Sequence, residues 1–116
     1  MKSLKLFLSI LLVSAGTIFG ISQSNAARHN ETATFKAAGN CKMCKTRIEK
    51  ALQVDGVSKA EWDVATKTVT VTFNPHVLDL QDLQQKVAAA GHDTEAAKAD
   101  GKVYDKLPEC CQYERK

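Results

Sequence analysis

The chain has 116 residues and a formal net charge of +3. Lys2 and Lys5 lie in an N-terminal leader; setting those two aside leaves 14 of the 16 basic residues against 13 acidic ones, a net of +1. That balance, with no basic stripe interleaved with aromatics, argues against nucleic-acid binding, and the 90 residues from Ala27 to Lys116 suffice for one small domain with a limited core.

The leader spans residues 1–26. Met1 to Lys5 is a short basic start, Leu6 to Ile21 is mostly apolar, and Ser24-Asn25-Ala26 places small residues where a signal peptidase reads. This is the pattern of a secretory signal peptide cleaved after Ala26. Ser9, Ser14, Gly16, Thr17 and Gly20 interrupt the apolar stretch, which falls short of the roughly 20 apolar residues of a spanning helix. The expectation is a periplasmic or secreted protein with no stable membrane insertion after cleavage; an uncleaved anchor is the alternative. No cysteine follows the apolar stretch as a site for lipid attachment.

Thr32 to Ala37 alternates weakly around Phe35 and predicts a strand, which Gly39-Asn40 breaks. From Lys42 to Val54, Cys44, Ile48, Ala51 and Leu52 recur at helical spacing. Asp55-Gly56 ends that helix, with Gly56 suited to a left-handed C-terminal position. Val57 to Val64 predicts a second strand, with Ala60, Trp62 and Val64 on one face. Ala65-Thr66-Lys67 turns into Thr68 to Phe73, the clearest strand, with Val69, Val71 and Phe73 on one side and threonines on the other. After Asn74-Pro75, Asp79 or a neighbour caps a second helix whose stripe is Leu80, Leu83, Val87 and Ala90. Gly91 ends it, and His92 to Ala97 predicts a weak fourth strand. Residues 99–116 form a polar tail with apolar points at Val103, Tyr104, Leu107 and Tyr113.

The order β-α-β-β-α-β predicts an α+β, ferredoxin-like βαββαβ sandwich, a four-stranded antiparallel sheet with two helices on one face. Counting directions along that order places three connections at one end: the Gly39–Cys44 loop, the turn at Ala65–Lys67, and Ala90-Gly91-His92. His92 then shares an end with Cys41 and Cys44.

All four cysteines lie after the leader, as two close pairs, Cys41/Cys44 and Cys110/Cys111. An even count in an exported chain can mean a disulfide scaffold, but close pairs read better as metal or redox sites. A strand-to-helix turn puts Cys41 in the loop and Cys44 at the first helical turn, so both sulfurs can face one point, and the helix start favours thiolates. Two thiolates select soft ions. The same Cys-x-x-Cys spacing also suits a redox dithiol or a structural bridge.

A unit of this order with Gly39-Asn40-Cys41-Lys42-Met43-Cys44 on its first loop and Ala90-Gly91-His92 at the fifth resembles the heavy-metal-associated domain family. The likeness covers about Thr32 to Lys98, giving the division 1–26 signal peptide, 27–98 domain and 99–116 tail. It rests further on the helix Lys45 to Leu52, the Gly56-Val57 turn and the Val69-Thr70-Val71 strand. The resemblance implies a metallochaperone or scavenger that holds Cu(I) through Cys41 and Cys44 and passes it, by transient docking, to a metal transporter or efflux component. Hg(II), Ag(I) and Zn(II) are the other ions it implies. A mercury-resistance binding protein and a thiol–disulfide oxidoreductase are the competing readings. One departure is plain: the family usually has Gly-Met-x-Cys, whereas Asn40 alone separates Gly39 from Cys41.

Met43 is expected as a buried anchor standing in for the absent loop methionine. Lys42, Lys45 and Arg47 either lower the thiol pKa values and steer an acidic partner, or form a solvated helix face. His92 is a candidate third ligand or near-site neighbour, or only a capping residue; His29 and His76 have no such placement, and His76 reads as surface. Cys110 and Cys111 are candidate accessory ligands: 11 residues from Ala99 to Glu109, at about 3.3 Å each, can run back along the sheet. The alternative is a loose tail with reactive thiols. No acid–base pair, nucleophile triad or phosphate loop is evident, so a non-catalytic protein is expected.

Overall fold

The computed structural model describes residues 30–115. The expected signal peptide, residues 1–26, and His29 lie outside them. The elements are β1 (Glu31–Lys36), α1 (Lys42–Ala51), β2 (Val57–Asp63), β3 (Thr68–Phe73), α2 (Leu80–Ala89), α3 (Gly101–Asp105) and a 3-10 turn over Glu109–Cys111.

Three strands form one sheet in the order β1-β3-β2, with β3 antiparallel to both neighbours. The register sets Phe35 and Trp62 on either side of Val69, and Ala33 and Ala60 on either side of Val71. These side chains share one face because strand residues alternate sides. Ile48 and Leu52 of α1 and Leu83 and Val87 of α2 pack into the same buried cluster. The opposite face carries threonines; Thr32 and Thr72 hydroxyls meet across it at 2.8 Å. At the β2–β3 hairpin, Asp63 Oδ1 accepts the N–H groups of Ala65 and Thr66 at 2.8 and 3.1 Å. Asp79 caps α2, and its bond from Asp82 N is reciprocated by Asp82 Oδ2 accepting Asp79 N–H, a capping box built from two aspartates.

The expected fourth strand over 92–97 is absent from the described sheet; one isolated bridge, Ala37 to Thr94, stands in its place. The cause is local. Thr94 N and Oγ1 donate to Ala97 O at 2.7 and 3.1 Å, and Ala97 N returns a bond to Thr94 Oγ1. Ala96 N–H goes to Gln84 Oε1 and Ala99 N–H to Asp93 Oδ1. These turn bonds use the groups that a ladder along β1 would need.

Residues 99–115 are not a separate appendage: Ala99, Leu107, Cys111 and Tyr113 are all buried. Leu107 lies over Gly91, where a Cβ would sit 2.8 Å from Leu107 Cδ2 and where φ is +107°. Gly91 is therefore needed both for the left-handed backbone and for the close approach of the tail.

Candidate metal centre

The loop between β1 and α1 is shaped by its neighbours. A Cβ on Gly39 would lie 3.0 Å from Cys44 Cβ and from the Trp62 ring, so glycine lets the chain pass between them. The fully buried Trp62 donates its indole N–H to Ala37 O at 3.0 Å. Its backbone N–H is held by Glu49 Oε2 at 2.9 Å, tying α1 to β2. Cys41 is the N-cap of α1. Cys44 is fully buried one turn in, and its sulfur accepts the N–H groups of Asn40 and Cys41 at 3.2 and 3.4 Å. The loop thereby aims backbone donors at a sulfur, favourable for a charged ligand atom.

The two sulfurs of this dithiol are 3.7 Å apart, and all four cysteines are free. The tail returns to the same place. Cys110 Sγ lies 3.2 Å from Cys41 Sγ, and Asn40 Nδ2 donates to Cys110 O at 3.4 Å. Cys111 is fully buried behind it, and the sulfurs of Cys41, Cys44 and Cys111 all lie within 4.8 Å of one another. Cys110 is exposed and outside that triad.

The Cys41 thiol is lowered to about 7, chiefly by the hydrogen bond from Cys110 and then by the backbone at Cys44. Hydrogen bonds to the thiolate, not adjacent cations, are the cause. The Cys110 thiol is raised in turn, first by its bond to Cys41. Burial, then the contact with Cys44, raises the Cys111 thiol strongly. Lys45, expected to serve the thiols, pairs instead with Glu49 and lies 3.8 Å from Glu61. The Glu49 bond raises its ammonium above the ordinary value.

One further expectation is corrected. Met43 is 49% exposed and is no buried anchor. As the second residue of α1 it points away from the core that Cys44 and Ile48 face, and its sulfur rests 3.3 Å from Cys110 Sγ. His92 is fully buried, but it is not a member of the sulfur triad. Its Nδ1 lies 2.8 Å from Ala38 O, while its Nε2 has no partner. Burial lowers the His92 pKa, and the contact of its ring with Ala38 O ties it to the start of the β1–α1 loop. His76 is exposed.

Sequence reasoning missed how the tail is fastened. Tyr113 donates its hydroxyl to Gly91 O at 2.8 Å and accepts Asp93 N–H at 2.9 Å. Its ring stacks on His92 at 5.7 Å and meets Tyr104 edge-on at 4.9 Å. Arg115 grips Asp93 with two bonds of 3.0 and 2.8 Å and donates to Ala99 O at 2.8 Å. Tyr104, Leu107 and Tyr113 stood out in the sequence as apolar points of the tail, but the hydroxyl bonds of Tyr113 and the Asp93–Arg115 pair carried no signal there.

A βαββα unit with a dithiol on its first loop defines a small metal-binding module. A family model described as "Heavy-metal-associated domain" matches residues 34–93, more than half of the chain, and the protein belongs to that family. Among curated relatives, the chain is 37% identical over 78 residues to the "Mercuric transport protein periplasmic component" of Shewanella putrefaciens, covering 66% of this chain and 86% of that one. It is 35% identical over 71 residues to the "Copper-exporting P-type ATPase" of Staphylococcus saprophyticus. That match takes in 60% of this chain but only 9% of the ATPase. The solved N-terminal domain of a potential copper-translocating P-type ATPase from Bacillus subtilis, in the Cu(I)-loaded state, superposes with a TM-score of 0.54 at 37% identity. That likeness covers 57% of this chain and 85% of the domain. The resemblance noted from Cys41, Cys44 and the helix that follows is therefore borne out. Among the described residues no helix is long and apolar enough to cross a membrane.

Proposed function

We propose that the protein is an exported, non-catalytic carrier or scavenger of a soft metal ion, with Cu(I) as its preferred cargo and Cys41 and Cys44 as its primary ligands. The observation that carries this reading is the pair of free sulfurs 3.7 Å apart at the start of α1. Thiolates favour Cu(I), Ag(I) and Hg(II) over hard ions, whereas Zn(II) in a closed site takes four ligands. Cys41 is half-exposed at the protein edge, so a partner thiolate can attack the ion there. A partner–sulfur bond to copper forms, the Cys41–copper bond breaks, and the metal keeps its oxidation state throughout. The transient partner is a metal transporter or efflux component.

Hg(II) is the second reading, favoured by the relative named as a mercuric transport component, 86% of whose length this chain covers. That relative's periplasmic label also supports export. A thiol–disulfide oxidoreductase would need the same pair to turn over a disulfide substrate.

The test is competition against a Cu(I) chelator with the reduced protein. One equivalent of Cu(I) is held, and Cys41→Ser or Cys44→Ser releases it. If both variants hold copper like the wild type, the primary site is elsewhere. Insulin reduction that vanishes in Cys41→Ser would replace the carrier with the oxidoreductase.

A further inference from the structure

We infer that Cys111 is a third ligand, so that the bound ion sits in a three-thiolate site closed from behind by the C-terminal tail. This deepens, and rests on, the soft-metal reading above. The sulfurs of Cys41, Cys44 and Cys111 lie within 4.8 Å of one another, and two of the three residues are fully buried. With metal–sulfur bonds of about 2.3 Å, a trigonal site spaces its sulfurs about 4.0 Å apart and a linear two-sulfur site about 4.6 Å. The 3.7 Å between Cys41 and Cys44 is too short for the linear arrangement and leaves room for a further ligand beside the pair.

The tail does not need an ion to reach the site. Leu107 against Gly91, the Tyr113 hydroxyl between Gly91 and Asp93, and the Arg115–Asp93 pair already hold it. In the 3-10 turn, Cys111 N–H donates to Pro108 O at 2.8 Å. That turn points Cys111 into the core and leaves Cys110 outside. The neighbours Cys110 and Cys111 therefore differ in role despite their adjacency: Cys111 belongs to the triad, whereas Cys110 lies outside it, exposed, against Cys41 and Met43. The N–H groups of Asn40 and Cys41 aimed at Cys44 spread the negative charge that three thiolates bring. A buried third sulfur favours ions that accept trigonal thiolate coordination, namely Cu(I) and Hg(II). It also favours retention of the ion over fast release.

X-ray absorption at the copper edge tests this on the reduced full chain loaded with one equivalent of Cu(I). Three sulfur neighbours are expected in the wild type and in Cys110→Ser, and two in Cys111→Ser with copper still bound. Two sulfurs in the wild type overturn the inference and leave the two-cysteine carrier intact. A drop to two in Cys110→Ser, with three in Cys111→Ser, overturns it in favour of the exposed thiol. A wild type that binds no copper overturns both this inference and the Cu(I) reading beneath it. If Cys111→Ser fails to fold, the wild type and Cys110→Ser still decide the matter: three sulfurs in both assign the third to Cys111, and two in Cys110→Ser overturn it.

Discussion

Tyr113→Phe removes one oxygen and should loosen the tail that closes the metal centre. The hydroxyl donates to Gly91 O at 2.8 Å and accepts Asp93 N–H at 2.9 Å, so its loss strands an acceptor and a donor. A buried group left unpaired costs about 1–3 kcal/mol. The Gly91 carbonyl is enclosed, whereas Asp93 N–H is part-buried and nearer to water. The combined cost is therefore about 2–4 kcal/mol. The phenyl ring keeps its stack on His92 and its edge contact with Tyr104, so no cavity term is added. For a domain of this size the loss corresponds to a melting temperature lower by about 10–25 °C. Thermal unfolding followed by circular dichroism measures it, and amide exchange across residues 103–113 shows where the loosening lies. A melting temperature within about 2 °C of wild type would refute the reasoning, because a docked tail cannot lose both bonds at so little cost.

In the metal-free reduced protein, alkylation of Cys41 should rise with pH around a midpoint of about 7. Cys110→Ala should move that midpoint upward, since the Cys110 hydrogen bond is the main cause of the shift; an unmoved midpoint would assign the shift to the backbone. At Asp93, burial raises the carboxyl, but the Arg115 fork and the Ala99 N–H outweigh it, and the net pKa is lowered. Because the folded value lies below the unfolded one, the stabilisation is present above about pH 4 and is lost as pH falls through the folded value. Urea unfolding of Asp93→Asn from neutral pH into acid should show a shallower loss than wild type, and identical acid slopes would remove Asp93 from the tail's clasp.

The parts visible in the sequence were those fixed by short-range pattern. Val69, Val71 and Phe73 alternate with threonines, and β3 lies there as the central strand. Asp79 stands just before a helical stripe and is the α2 cap. Cys41 and Cys44 stand between a breaker, Gly39-Asn40, and a helical stripe, and they lie at the N-cap and in the first turn of α1. The failures were non-local. Residues 92–97 carry no strong strand pattern, and side-chain bonds from Thr94, Gln84 and Asp93 bend them into a turn after one bridge. Met43 was misplaced because its face of α1 depends on which turn the N-cap begins, and beginning at Cys41 sends Met43 outward. In residues 99–116 the apolar points Leu107 and Tyr113 were visible, but not their partners, nor the third anchor, Arg115. Each anchor's partner lies at Gly91 or Asp93, beyond the end of α2 and distant in sequence.

The central claim, that a soft ion is held where the first loop and the tail converge, is tested most directly by following backbone amide resonances during a Cu(I) titration of the reduced protein. The account predicts that residues 40–45 and 109–112 shift together and saturate at one equivalent. Saturating shifts confined to other residues, with 40–45 unmoved, would contradict it.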